Sequence, residues 1–265
     1  LEQGLKDRSS FLIAKAVTAL RETGATPQEI IQHGLFYGAH KTNDGWSSGV
    51  AILTLCGNLW EDVASEDHNL FLVHGLTQIA KRTSGSSRRQ RFPFPRTNAD
   101  PDLQTLKRWF RRYVDLRDRG AAERILLTLH DRGEPVGVLA DFVFSAATDY
   151  YFTGDGHALD FANKMFEALD YIDWQGAHEI LRPIVVDLVS RTRHEETSRW
   201  QDSVPILEEV FGRIDEIWDA NQQAPARDLD ISAYAQILLG DDFGPIVKYL
   251  EQQLRRGVDP LDICR

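Results

Sequence analysis

The sequence is poor in the residues that usually announce chemistry. Cysteine occurs twice in 265 residues, at Cys56 and Cys264, which excludes a disulfide framework and a cysteine-rich metal site. Gly-x-Gly-x-x-Gly, a Gly-Lys-Ser/Thr phosphate loop and Cys-x-x-Cys are all missing, so nucleotide and thiol-redox chemistry are disfavoured. Ser47-Ser48-Gly49 lacks the Gly-x-Ser-x-Gly spacing and a preceding strand, and reads as close helix packing rather than a nucleophile turn. Long apolar runs are missing too. The longest uncharged helical stretch, Trp46 to Trp60, falls short of the roughly 20 residues of a membrane span. No signal peptide is visible, and two isolated cysteines suit a reducing compartment, so the expected location is the cytoplasm. Leu1 in first position and Met165 as the single methionine lead us to expect a piece of a longer protein.

What the sequence does have is helical punctuation, repeated. A helix-break-helix unit runs from Phe11 to Trp60 through Thr23-Gly24-Ala25-Thr26-Pro27 and from Ala122 to Trp174 through Arg132-Gly133-Glu134-Pro135. It starts a third time at Gly257-Val258-Asp259-Pro260. Setting Gly24 on Gly257 places Ile13 on Ile246, Val17 on Leu250 and Ile30 on Ile263; setting it on Gly133 places Val17 on Leu126 and Leu20 on Leu129. Glycine suits the left-handed residue that stops a helix, Thr26 and Asp259 are N-cap types, and Pro27 and Pro260 fit a first turn. Apolar periodicity predicts helices at about 9–22, 27–41, 46–63, 66–82, 102–117, 120–131, 135–151, 156–171, 174–191, 204–222, 230–239 and 242–256. Strand alternation is not found. The expected fold is all-α, with stacked antiparallel helical hairpins, about 12 helices and a repeat-like plan. A helical core with two hairpin repeats is expected over residues 1–192, and an acidic helical segment over 193–265 that begins a second, truncated half.

Charge is unevenly divided. The net charge is −10, yet residues 81–112 carry ten basic side chains against Asp100 and Asp102, a local +8 that leaves −18 on the rest. Such a division predicts an anionic partner for the basic segment or neutralisation within the fold. Arg88, Arg89, Arg91 and Arg96 lie in the one long loop, 85–100, where Phe92 and Phe94 are the expected anchors to the core. Lys107, Arg108 and Arg111 follow in a helix whose aromatic residues are needed for packing. These seven cations are the candidate surface for an acidic protein partner. Nucleic acid is disfavoured by the acidic remainder and the packed rings.

Two polar loops carry the candidate chemistry, Tyr37 to Trp46 and Thr148 to His157, and the repeat alignment sets His40 opposite Asp149. If the hairpins pack about a pseudo-twofold axis, His40, Asp44, Asp149 and His157 converge, to hold a divalent metal or to act as an acid and base pair. Asp44 and Asp155 are equally ordinary N-caps. Along helix 156–171, His157, Asp160, Lys164 and Glu167 share a face. His157-x-x-Asp160 resembles half of a carboxylate-bridged dimetal site, but no second such pair occurs, and a solvated stripe with an Asp160–Lys164 ion pair is the plainer reading. His74, within an apolar stretch, is expected to be partly buried. The catalytic candidates are therefore His40, Asp149 and His157, and the metal candidates His40, His74, Asp149, His157 and Asp160.

Three strings carry a family resemblance: Asp44-Gly45-Trp46-Ser47-Ser48-Gly49-Val50-Ala51-Ile52-Leu53-Thr54, Leu106-Lys107-Arg108-Trp109-Phe110-Arg111, and Gly156-His157-Ala158-Leu159-Asp160-Phe161-Ala162-Asn163-Lys164. They resemble the long helical region ahead of a Rieske-type iron–sulfur domain in a bacterial family of unassigned function, over most of residues 10–192. The resemblance implies the helical part of a redox-associated, oxidoreductase-linked protein, here with a polar His/Asp pocket. A Rieske cluster needs paired Cys-x-His ligands, and neither Cys56-Gly57-Asn58 nor Cys264-Arg265 supplies them. The alternative is a noncatalytic helical scaffold that binds a protein through the Arg-rich loop.

Overall fold

The computed structural model describes residues 1–42, 45–83, 93–94, 100–193 and 203–264. Among these the fold is all-α. The helices are α1 (Glu2–Lys6), α2 (Ser10–Glu22), α3 (Pro27–His40), α4 (Ser48–Asn58), α5 (His68–Arg82), α6 (Leu103–Asp115), α7 (Arg119–Asp131) and α8 (Val136–Ala147). They continue with α9 (His157–Tyr171), α10 (Ala177–Leu181), α11 (Ile184–Ser190), α12 (Val204–Phe211), α13 (Ile214–Gln223), α14 (Ile231–Leu238), α15 (Phe243–Arg255) and α16 (Pro260–Cys264). Outside the helices, an isolated backbone bridge joins Arg227 and Val258.

The chain forms two compact units, Leu1–Thr197 and Ser198–Arg265. In the first, α4 and α5 make the closest helix pair, α3 covers both, α2 lies on α5, and α9 lies beside α4. On the far side, α11 contacts α6, α7 and α9. Every residue from Ile184 to Val189 is buried, as expected of a short helix that is apolar on all sides but for Asp187, whose charge is paired with Arg191. In the second unit α12, α13 and α14 pack on α15, with Ile217 and Val258 as its buried apolar residues. Arg213 and Arg255 both pair with Glu251 there, at 2.8 and 2.9 Å.

The three helix breaks share one local geometry. Gly24, Gly133 and Gly257 all have positive φ, at 94°, 70° and 91°. Each follows a helix of 13 residues, α2, α7 or α15. Each closes it with the same two bonds: Gly24 N–H to Arg21 C=O and Ala25 N–H to Leu20 C=O, then Gly133 to His130 and Glu134 to Leu129, then Gly257 to Leu254 and Val258 to Gln253. Thr26 then caps α3 in a reciprocal box with Glu29. The helices on either side of a break do not make the main packing pairs, however. α2 packs chiefly on α5, and α7 on α6.

Several expected helices differ from the observed ones. The stretch 174–191 divides into α10 and α11 at Pro183, which has no N–H to continue the ladder. The stretch 204–222 divides at Gly212-Arg213, and 46–63 ends as α4 followed by a 3-10 turn at Trp60–Asp62. Asp155, expected as an N-cap, is left-handed at φ 58°, and Gly156 takes the N-cap position of α9.

Candidate functional site

α4 and α9 lie side by side and run in the same direction. At their far ends the Asn58 side chain donates to Glu167 at 2.6 Å, and a Cβ on Gly57 would meet the Tyr171 ring at 2.8 Å. At their near ends Ser47, Ser48 and His157 line one cleft of about 820 Å³. Its remaining walls are Thr42 and Trp46, then Ala51, Ile52 and Leu55 of α4, Lys81 and Arg82 of α5, Asp160, Phe161 and Lys164 of α9, and Arg191 after α11. Gly49 is what lets α5 close against α4 at this point: a Cβ there would lie 2.5 Å from the Gln78 carbonyl oxygen, which leaves no room for a side chain.

Two helix N-termini therefore face the same space, and they differ in what they offer. Ser47 makes no side-chain cap on α4, and among the described residues the N–H groups of Ser48 and Gly49 have no hydrogen-bond acceptor. In α9 the first N–H groups are already engaged, His157 with Gly154 C=O at 3.1 Å and Asp160 with Gly156 C=O at 3.1 Å. α9 contributes its dipole and α4 its donors. The antiparallel α5 brings its C-terminal carbonyls to the same end, where Lys81 and Arg82 in its last turn offset their negative charge.

Four cations and one carboxylate line the cleft. Lys164 is paired with Glu167 at 2.8 Å, in place of the expected Asp160. Arg191 is paired with the buried Asp187 at 2.6 Å, and its guanidinium lies over the Phe161 ring at 5.6 Å. Asp187 also accepts the Trp46 backbone N–H at 2.5 Å, which ties the loop before α4 to α11. Lys81 and Arg82 are exposed and make no ion pair among the described residues. The Trp46 indole is fully buried, and its Nε1–H has no hydrogen-bond partner among the described residues. An unpaired buried donor costs about 1–3 kcal/mol.

The residues singled out from sequence are distributed differently. His40 faces Glu179 at 3.8 Å, which also receives His178 at 3.4 Å and Arg182 at 3.1 Å. Asp149 is held by the Arg111 guanidinium, Nε to Oδ2 at 2.8 Å. His157 stacks on Phe161 with ring centroids 5.2 Å apart. No hydrogen bond or ion pair joins His40, Asp149 and His157, while His157 and Asp160 do share the cleft. His74, expected to be partly buried, is exposed. Among the described residues no three His, Cys, Asp or Glu side chains converge as a metal site needs. Cys56 is buried, its thiol is pushed up to about 11 by desolvation, and it donates to the Phe71 carbonyl at 3.6 Å; such a thiol does not fit an iron–sulfur ligand.

Three cations of α6 have partners within the first unit. Lys107 pairs with Asp141 of α8 at 2.7 Å and Arg111 with Asp149, while Arg108 donates to Thr105 at 3.2 Å. Arg88, Arg89, Arg91 and Arg96 lie outside the described residues, as do Asp44 and Phe92. Phe94 packs against the core, its N–H donating to Thr128 Oγ1 at 2.9 Å. Lys81 and Arg82 were counted from sequence only within the basic stretch 81–112, and Trp46 and Arg191 were not picked out as site residues. An adjacent Lys-Arg pair in the final turn of a helix is the one local signal the first two carry.

Fold and site together define an all-α protein with a cationic cleft where two parallel helices begin. No family model, no curated protein and no solved structure matches the chain.

Proposed function

We propose that this protein binds an organic anion in the cleft between α4, α5, α9 and α11. The observation that carries this reading is the meeting of the uncapped α4 N-terminus with Lys81 and Arg82, two cations without an ion-pair partner among the described residues, around one large space. A carboxylate or phosphate ester placed there accepts from the Ser48 N–H and the serine hydroxyls and meets both cations. Binding is better supported than turnover, because among the described residues no hydrogen bond joins the His157 ring nitrogens to a nucleophile or orienting group, and the ring stacks on Phe161. Two of the strings that carry the resemblance to a Rieske-linked helical region, 44–54 and 156–164, contribute walls of this cleft. In that redox-associated setting the cleft is where the helical part holds an anionic substrate.

Titration calorimetry with benzoate and phenyl phosphate tests the proposal. One saturable site is expected, weakened at least tenfold by the double change Lys81→Glu and Arg82→Glu and by raising the salt from 50 to 500 mM, as about two unscreened charges would require. Unaltered affinity in the double variant sinks the reading.

A further inference from the structure

The cleft has a second character that a simple inorganic anion leaves unused. Along α4 the wall changes from polar to apolar: Ser47 and Ser48 at the N-terminus, then Ala51 and Ile52 one turn on, then Leu55 a turn further. These positions follow the i, i+3, i+4 and i+7 spacing that keeps residues on one helix face. Leu55 is 41% exposed, an apolar side chain the protein covers only in part, at the end of a strip about 10 Å from Ser48 along the helix axis. Opposite lies Phe161, whose ring is already held by His157 and by the Arg191 guanidinium. Trp46, whose buried Nε1–H has no partner among the described residues, belongs to the wall at the polar end. A volume of about 820 Å³ far exceeds what one carboxylate or phosphate fills.

We infer that the ligand is an anionic amphiphile: a carboxylate or phosphate headgroup at the α4 N-terminus beside Lys81 and Arg82, and an alkyl or acyl body along Ala51, Ile52 and Leu55. This rests on the anion-binding reading above and adds the direction in which the ligand lies. Headgroup recognition is electrostatic and salt-sensitive. The body is held by removal of apolar surface from water, so its contribution grows with each methylene and is insensitive to salt.

The test is a chain-length series on the intact protein, acetate through octanoate and ethyl through octyl phosphate, below their critical micelle concentrations, with octanol as the uncharged control. Affinity should rise up to about fourfold per methylene until the strip is covered, and octanol should bind far more weakly than octanoate. The two headgroup series distinguish a carboxylate from a phosphate ligand. In Leu55→Asn, a change at an exposed position, the rise should stop short while short-chain affinity stays as it was. Anions that bind with no dependence on chain length overturn the amphiphile and leave the anion site standing. A rise that is equally steep in Leu55→Asn places the chain elsewhere and also overturns it. If no anion of any length binds, the cleft itself is not an anion site, and the failure belongs to the earlier proposal.

Discussion

At the scale of single residues, the buried ionisable groups of the first unit do two kinds of work. Arg182, 3% exposed, donates to Glu123, which is fully buried, at 2.6 Å, and reaches Glu179 on its other side. The group thus links α7 to α10, and through Glu179 to His40 at the end of α3. His130, at the end of α7, responds to the same surroundings. Burial holds its imidazole below the ordinary value of 6.5, and nearby His178 opposes a second positive charge, while Asp131 acts weakly the other way. The sign of the consequence follows from proton counting. Between the folded and the unfolded pKa the unfolded chain binds a proton that the folded chain refuses, so stability is full above about pH 6.5 and falls as the pH drops toward the folded value. Urea midpoints measured from pH 7.5 to 5 should decline more steeply in the native sequence than in His130→Gln. Parallel curves would mean that His130 is indifferent to folding.

At the scale of helices, punctuation was legible and packing was not. The three glycine breaks could be read because a left-handed residue and a Schellman closure, followed by a proline in the first turn of α3 and α16 and at the N-cap of α8, are local requirements, satisfied within about six residues of sequence. They lead to a quantitative expectation. A Cβ on Gly24 or Gly133 meets nothing within 4 Å, so Gly→Ala there costs only the backbone strain of a left-handed alanine, about 1–2 kcal/mol and the same at both sites. At Gly257 the Cβ would also run into the Pro225 carbonyl oxygen, and the cost should be larger. Chemical denaturation of the three variants checks this ordering; a harmless Gly24→Ala would show that the closure can rearrange. Which helix lies against which is a long-range outcome, set by the fit of Gly49 to the Gln78 carbonyl or of Leu53 between α3 and α5, and no local pattern encodes it. The same reason hid the cleft. His157 and Asp160 could be picked out as titratable groups on one face, but Lys81 and Arg82 became candidates only when α5 was seen to end where α4 begins.

At the scale of the whole chain, the uneven charge resolves partly within the fold. Lys107 and Arg111 are matched by Asp141 and Asp149, so much of the basic helix is neutralised by carboxylates about 35 residues downstream, which sequence alone left as one of two possibilities. The two units are built on unequal interiors. The first has a continuous apolar core from Leu5 to Val189, whereas the second buries Ile217 and Val258 and relies on side-chain bonds such as Asn221 to the Leu254 and Val258 carbonyls, at 2.7 and 3.0 Å. Since the area removed from water is the main favourable term, the second unit should melt first. Scanning calorimetry of the intact chain should resolve two transitions. Arg182→Met leaves Glu123 buried beside the more distant Arg119 and should lower the upper transition by the equivalent of about 3 kcal/mol. Asn221→Ala should lower only the other. One transition that both substitutions move together would show that the chain unfolds as a single cooperative body, and that the small interior of the second unit borrows its stability from the first.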